Sequence, residues 1–424
     1  MMDRIERQKK TTGLHLAMEA KETLRRVESE FPDNPAAMQY FYDLYRDRYS
    51  EETVPSTNGR KVVGTMCVQV PDELIYAAGA VPLRLCNGSN TYDQIGAGSM
   101  PSKACPLVKA TVGMLEISAE LYKDRLDAIV IPTTCDQKKK SAEMLIDMGY
   151  NVHIMEMPAS KETDEARHYW QNSVRNFALM LQKLTGKKIT KKSLKESVAK
   201  VSAANKQFRR LNNLTKSSPP LIFGKDVFMV TNAYFFDDIE SWTSAVAKLN
   251  DELEERKRDG FKVAQSHAPR ILFTGSPPIF PNMKVPVLLE QVGGVIVADE
   301  VCSSSRLLYD SVAFDEEALY DMVPAIADRY LKPCTCPCYT PNNDRKRKIE
   351  LMVKDFAADG VIYQAFSGCH LYEMEQKGIN SRLEAMGVPM LYLETDYSPE
   401  DMGQLSTRVE AFIESIKTRK RRKK

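Results

Sequence analysis

A chain of 424 residues is too long for one ordinary hydrophobic core, so two domains with an accessory helical segment are expected. Its composition, 43% hydrophobic and 27% charged, is that of a soluble globular protein. The net charge of +2 hides an asymmetry: residues 417–424 carry seven positive charges, so the body nets −5 and offers no basic field suited to nucleic acid. With no signal-peptide h-region and no apolar run of transmembrane length, the expectation is a cytoplasmic protein without a membrane or nucleic-acid partner.

Residues 1–60 read as an N-terminal helical segment, with helical pattern over 11–50 and a break at Pro32-Asp33-Asn34-Pro35. Residues 61–160 alternate strand and helix. Strands are expected at Lys61–Cys67, Val81–Cys86, Asp127–Thr134 and Asn151–Met155, with helices at Pro71–Gly79, Pro106–Lys123 and Gln137–Met148. Residues 161–268 are lysine-rich with helical periodicity, including Ser193–Leu214 and Asp238–Asp259, and read as a helical connector. Over 269–416 the alternation returns. Strands are expected at Ile271–Gly275, Gly294–Cys302, Gly360–Phe366 and Pro389–Glu394, with helices at Asn282–Gly293, Asp315–Leu331, Asp344–Asp359, Leu371–Gly387 and Ser406–Lys417. Residues 417–424 read as a disordered basic tail. The fold class implied is α/β: two similar doubly wound parallel-sheet domains of flavodoxin-like type, with helices on both faces.

Nine cysteines punctuate this pattern, and most fall where a strand runs out. Cys67, Cys86, Cys135 and Cys302 close strands, Cys369 follows one, and Cys334-Thr-Cys336-Pro-Cys338 packs three thiols into five residues. The carboxyl ends of strands are where open α/β sheets bind ligands. Cytosolic thiols gathered on that edge point to soft-metal chemistry rather than disulfides. Iron–sulfur fits better than zinc, because the thiols are dispersed, from 19 residues apart (Cys67 to Cys86) to 167 (Cys135 to Cys302). Buried inert cysteine is the duller reading, strongest for Cys67 and Cys86 beside apolar strands. The intervals Cys105 to Cys135 (30 residues) and Cys338 to Cys369 (31 residues) suggest that the two halves are copies whose thiols share one cleft.

Other signals are weaker. His370 adjoins Cys369, as an outer hydrogen-bond donor to a cluster sulfur or as an ordinary helix-start residue. Lys138-Lys139-Lys140 at a helix start opposes the helix dipole; it balances an anionic site, docks an acidic partner or is simply solvated. Neither a phosphate loop nor a G-x-G-x-x-G stands in the chain, so it is expected to bind neither ATP nor NAD.

Five motifs in order resemble the 2-hydroxyacyl-CoA dehydratase and benzoyl-CoA reductase superfamily. They are Cys67-Val-Gln-Val-Pro71-Asp-Glu73 through Pro82, Ala104-Cys105-Pro106-Leu107-Val108-Lys109, Pro132-Thr133-Thr134-Cys135-Asp136, Ser367-Gly368-Cys369-His370, and Glu394-Thr395-Asp396-Tyr397-Ser398 with the following Gly403–Arg408. The likeness spans residues 37–416. Cys302 and the Cys334/Cys336/Cys338 group exceed what a single cubane needs and resemble the double-cubane cluster branch. That branch implies an [8Fe-9S] cluster held by six cysteines, a homodimer, and a separate ATP-hydrolysing [4Fe-4S] activator protein as electron donor. The implied function is ATP-dependent, low-potential reduction of a small-molecule substrate. The resemblance points to Cys105, Cys135 and Cys369 first, then Cys338 and Cys302, with Cys67, Cys86 or Cys336 as the sixth ligand. Cys334 looks like an extra thiol, and Ser276 stands where some relatives carry cysteine. The alternatives are a 2-hydroxyacyl-CoA dehydratase subunit with one [4Fe-4S] cluster, which eliminates water as a lyase, and a non-catalytic electron carrier or cluster scaffold. Acid–base residues are not assigned.

Overall fold

Among the described residues, eight strands form two separate four-stranded sheets, each wholly parallel and each in the order second, first, third, fourth. The computed structural model describes residues 4–50, 57, 59–314 and 318–422. The first sheet comprises β1 (Val62–Thr65), β2 (Val81–Arg84), β3 (Ala128–Pro132) and β4 (Val152–Met155). The second comprises β5 (Arg270–Gly275), β6 (Val295–Glu300), β7 (Gly360–Phe366) and β8 (Met390–Thr395). Helices cover both faces, so the central strands are buried along their whole length and read as continuous apolar runs rather than alternating ones. The α/β fold of two like domains expected from the alternation is the one observed. The repeated strand order is the flavodoxin-like one, whose switch points fall between β1 and β3 and between β5 and β7.

The remaining helices join these sheets. Arg4–Ser29 and Gln39–Ser50 form the N-terminal segment. Asp164–Thr185, Lys191–Leu214, Gly224–Ala233 and Ile239–Arg258 form the connector, which buries Trp170 and Trp242 completely. One hydrophobic cluster binds the N-terminal helices and the connector to the second sheet. Another places Met322, Ile326, Leu331 and Cys334 against Val63, Val130 and Trp170. The helix Leu319–Leu331 and the Cys334–Cys338 loop therefore pack on the first sheet's side, although they lie between β6 and β7 in sequence.

Three local differences from the sequence expectation have physical causes. The stretch Pro106–Lys123 is two helices, Pro106–Ile117 and Ala119–Arg125, broken at Ser118. An unforeseen helix, Asn90–Gly96, begins at Ser89, whose hydroxyl accepts the Tyr92 N–H. Distant Glu19 holds the same turn by accepting from Ser89 Oγ (2.7 Å) and the Asn90 N–H (2.8 Å). The last helix, Met402–Arg422, runs into the stretch expected to be a disordered tail. Cations suit a helix C-terminus, and these are tied down: Lys417 to Val292 O, Arg419 to Gly387 O and Lys420 to Asp359. The expected helix start at Asp315 and the last two tail residues lie outside the described residues.

Candidate metal centre

All nine cysteines are free. Cys67 and Cys86 follow β1 and β2, Cys135 follows β3, and Cys302 and Cys369 follow β6 and β7. They stand at the carboxyl edges of the two sheets, and direct bonds bring those edges together. The Gln137 carboxamide accepts the Cys105 N–H (2.7 Å) and donates to Gly368 O (2.8 Å), fixing the loops of Cys105, Cys135 and Cys369 to one another. Gly368 itself has φ +81, and a Cβ there would lie 2.0 Å from Lys103 O. Only glycine lets the Cys369 loop approach the Cys105 loop this closely. Ser276, after β5, is turned back into the sheet, where its hydroxyl accepts the Phe366 N–H.

Three of the thiols share a local design. Cys105, Cys135 and Cys369 each occupy the N-cap of a helix: Pro106–Ile117, Asp136–Asp147 and His370–Ala385. None makes a full side-chain cap bond, but first-turn amides favour the ionised form of each sulfur: Leu107 and Val108 at Cys105, Lys138 at Cys135 and Tyr372 at Cys369. A helix N-terminus favours thiolate.

The thiols also sense one another. Cys369 donates to Cys105, which lowers the Cys105 pKa against the effect of burial, while Cys369 is pushed up by the same partner and by burial. Cys336 and Cys338 form a second pair: donation from Cys338 brings Cys336 down to about 6, and Cys338 rises. Burial raises Cys302 and Cys334 each to about 12, and also raises Cys86 and Cys135. Cys135 feels Cys369 and Cys336; Cys302 feels Cys67 and Cys86; Cys338 feels Cys67. The six residues favoured as ligands, with Cys86 and Cys336, are thus linked to one another by mutual electrostatic influence across the two sheet edges. Cys334 is buried in the first-sheet core, where Gln69 donates to its sulfur.

Cations oppose the thiols. Burial works to lower the Lys138 ammonium, but Cys67, Cys135, Cys86 and Cys302 hold it well above its ordinary pKa. Lys139 and Lys140 instead face outward and pair with Asp136 and Glu143. The triple-lysine run therefore divides into one cation for the thiols and two for the surface. Buried Arg306 pairs with Glu300 (2.7 Å) and lies in the field of Cys302 and Cys336. The His370 ring is exposed beside Glu373 (3.2 Å), facing solvent.

Several buried polar atoms around these thiols have no hydrogen-bond partner among the described residues: Thr65 Oγ1, Gln69 Oε1, Thr134 Oγ1, Arg306 Nη1, Tyr339 Oη and Tyr397 Oη. Tyr339 lies in the field of Cys334, Cys338, Cys336 and Cys67, and Tyr397 in that of Cys105, Cys86 and Cys302. Buried polar groups are normally paired, so these orphans mark where a bound group would be received. Among the described residues no three Cys, His, Asp or Glu side chains close on one point as a single ion requires. Thiols spread over two sheet edges suit a many-iron cluster, in which separate irons meet separate thiolates. Gln137, Arg306, Tyr339 and Tyr397 carry no role in the sequence reading. Their only sequence signal is adjacency: two residues after Cys135, four after Cys302, one after Cys338, and within the Asp396-Tyr397-Ser398 motif.

Residues 67–416 match the family described as 2-hydroxyglutaryl-CoA dehydratase, D-component. A protein of Escherichia coli (strain K12) bearing the provisional name dehydratase subunit YjiM is 30% identical over 91% of this chain and 99% of its own. The (R)-2-hydroxyglutaryl-CoA dehydratase subunit beta of Acidaminococcus fermentans is 27% identical over 84% of this chain and 93% of its own. A benzoyl-CoA reductase subunit of Thauera aromatica is 25% identical over 88% of this chain and 95% of its own. No helix among the described residues is long and apolar enough to cross a membrane.

Proposed function

Because the chain belongs to the 2-hydroxyglutaryl-CoA dehydratase D-component family, we propose that it is the iron–sulfur component of a reductase that acts on a small, hard-to-reduce molecule. Its cofactor in this reading is a double-cubane [8Fe-9S] cluster, its electron donor a separate ATP-hydrolysing activator, and its assembly a homodimer in the cytoplasm. The observation that supports the reading is the gathering of free thiols at two sheet edges whose loops Gln137 ties together, in greater number than a single cubane takes.

Cys67, Cys105, Cys135, Cys302, Cys338 and Cys369 would hold the cluster, with Cys86 or Cys336 as the alternate to Cys67. When bound, the cluster supplies low-potential electrons. The chain's own residues do the rest. The first-turn amides at Cys105, Cys135 and Cys369 pull toward ionised sulfur, which prevails at Cys105 but is outweighed by burial at Cys135 and by the Cys105 partner and burial at Cys369, and Lys138 and Arg306 offset negative charge among the thiols. Tyr339 and Tyr397 present unpaired hydroxyls as donors to sulfur or substrate. The enclosing helices limit water, which strengthens each of these interactions.

The second reading, a dehydratase subunit with one [4Fe-4S] cluster, is favoured by the names of the relatives. The third is an electron carrier or cluster scaffold without turnover of its own. An anaerobic assay with the activator and ATP separates them. The chain without a second kind of subunit should reduce a small substrate such as acetylene. A requirement for another subunit and a CoA ester would assign the dehydratase, and electron uptake without product would assign the carrier.

A further inference from the structure

The two sheets carry a buried charge at the same place, with opposite sign. Arg84 is the last residue of β2 and Glu300 the last of β6, the second strand of each sheet. Register makes them equivalents: Arg84 stands opposite Thr65 on β1, and Glu300 opposite Thr274 on β5. Each comes two residues before a strand-end cysteine, Cys86 or Cys302. The Arg84 side chain is 3% exposed and that of Glu300 not at all. Charge removed so far from water is tolerated only where it is paired and hydrogen-bonded.

Arg84 divides its guanidinium between two targets. One nitrogen donates to both Asp72 oxygens (2.9 and 3.0 Å) and the other to Cys67 O (2.7 Å), which fastens the Cys67 turn to β2. Asp72 is fixed in turn: its N–H donates to Tyr330 Oη, and its carboxylate accepts from Tyr234 Oη (both 3.2 Å). Glu300 is built the same way. One of its oxygens accepts from Arg306 Nε (2.7 Å) and Thr335 Oγ1 (2.5 Å), and the other accepts from Arg345 Nη1. Arg345, wholly buried, reaches on to Glu375 (2.6 Å) and Thr274 Oγ1 (3.2 Å). Thr335 lies between Cys334 and Cys336, so Glu300 fastens the three-thiol loop to β6. Lys161 and Asn342 also hold this loop by its carbonyls, and Thr335 ties it to a strand end.

We propose that Arg84 and Glu300 are equivalent positioning residues of the candidate metal centre. Arg84 sets the Cys67 turn, and Glu300, through Thr335, sets the Cys336 and Cys338 thiols. The assignment rests on the cluster reading above. Charge-assisted bonds are short and directional, so they fix a loop in one arrangement more sharply than apolar contacts of the same volume. Both networks also grip the segment that crosses between the sheets, at Tyr330 in its helix and at Thr335 in its loop.

The test is alkylation of the full-length chain by N-ethylmaleimide, followed cysteine by cysteine by mass spectrometry after anaerobic removal of iron. Thr335→Val deletes one hydroxyl. It should speed alkylation of Cys336 and Cys338 by about fivefold or more, the equivalent of one lost hydrogen bond, and leave Cys67 near its wild-type rate. Arg84→Met should do the reverse, speeding Cys67 and leaving Cys336 and Cys338. Ile349→Ala opens the core on the helix that carries Arg345, and should lower the thermal midpoint without either pattern. Uniform acceleration of all nine cysteines, unchanged rates, or the same pattern in Ile349→Ala overturns the proposal. If Arg84→Met does not fold, the milder Thr335→Val decides. Iron retention against a chelator, measured on the same proteins before stripping, separates the two readings. Iron held by wild type with no loop-specific change overturns this proposal alone. Loop-specific changes in a chain that takes up no iron support the holding of the loops and remove the cluster reading.

Discussion

Cys105 and Cys334 differ in everything but their side chain. Cys105 caps a helix, shares a proton with Cys369 and is held by Gln137. Cys334 is buried in the first-sheet core with its sulfur already bonded by Gln69 and its ionisation opposed by burial. Cys105→Ser should therefore lose at least half of the iron bound after anaerobic reconstitution, while Cys334→Ser should retain nearly all of it. Equal iron loss in the two variants would contradict the distinction. Sequence spacing marks Cys105, Cys135 and Cys369, because each stands at a strand or helix boundary. It cannot show that Gln137 joins their loops, since its partner Gly368 is far along the chain and only the fold brings them together. Nor can it separate Lys138 from Lys139 and Lys140, because three identical side chains divide by helix face alone.

At the scale of elements, two contacts govern how the sheet edges are presented. The first is the approach of the Gly368 turn to Lys103 O. Gly368→Ala meets both a positive φ and a backbone clash, at a cost of roughly 1–3 kcal/mol. The expected result is a lower thermal midpoint together with reduced iron loading, and a variant with unchanged midpoint and iron would contradict the close approach. The second is Glu290, which accepts the N–H groups of Gly224 (2.7 Å), Lys225 (3.0 Å) and Ile296 (3.1 Å) and so ties the helix Gly224–Ala233 to β6. Burial raises its pKa from an ordinary 4.5 to about 7, against the pull of those bonds and Lys225. Between those values the folded chain keeps a proton that the unfolded chain releases. Raising the pH through that window therefore costs the fold stability, by an amount on the order of 3 kcal/mol. The urea midpoint of wild type should fall more steeply from pH 5 to pH 8 than that of Glu290→Gln. Parallel curves would show that Glu290 does not titrate there. Strands such as Gly360–Phe366 are legible in the sequence because burial on both faces leaves an unbroken apolar run. The helix Asn90–Gly96 is not, because its start is held partly by Glu19, about seventy residues earlier. The basic end of the last helix reads as a tail because a charge run gives no sign of the carbonyls and carboxylate that receive it.

At the scale of the molecule, two sheets of the same order turn their carboxyl edges toward each other and contribute thiols from both sides. The helix Leu319–Leu331 crosses to the first sheet and carries Cys336 and Cys338 with it. That crossing places cysteines that follow β6 in sequence beside those that follow β1 and β3. The number of thiols at the two edges is consequently the feature that separates a double cubane from a single one. The direct measurement is iron and acid-labile sulfide per chain after anaerobic purification of this protein alone. About eight irons and nine sulfides are expected. About four of each would contradict the double cubane and make the single-cubane dehydratase subunit the better account.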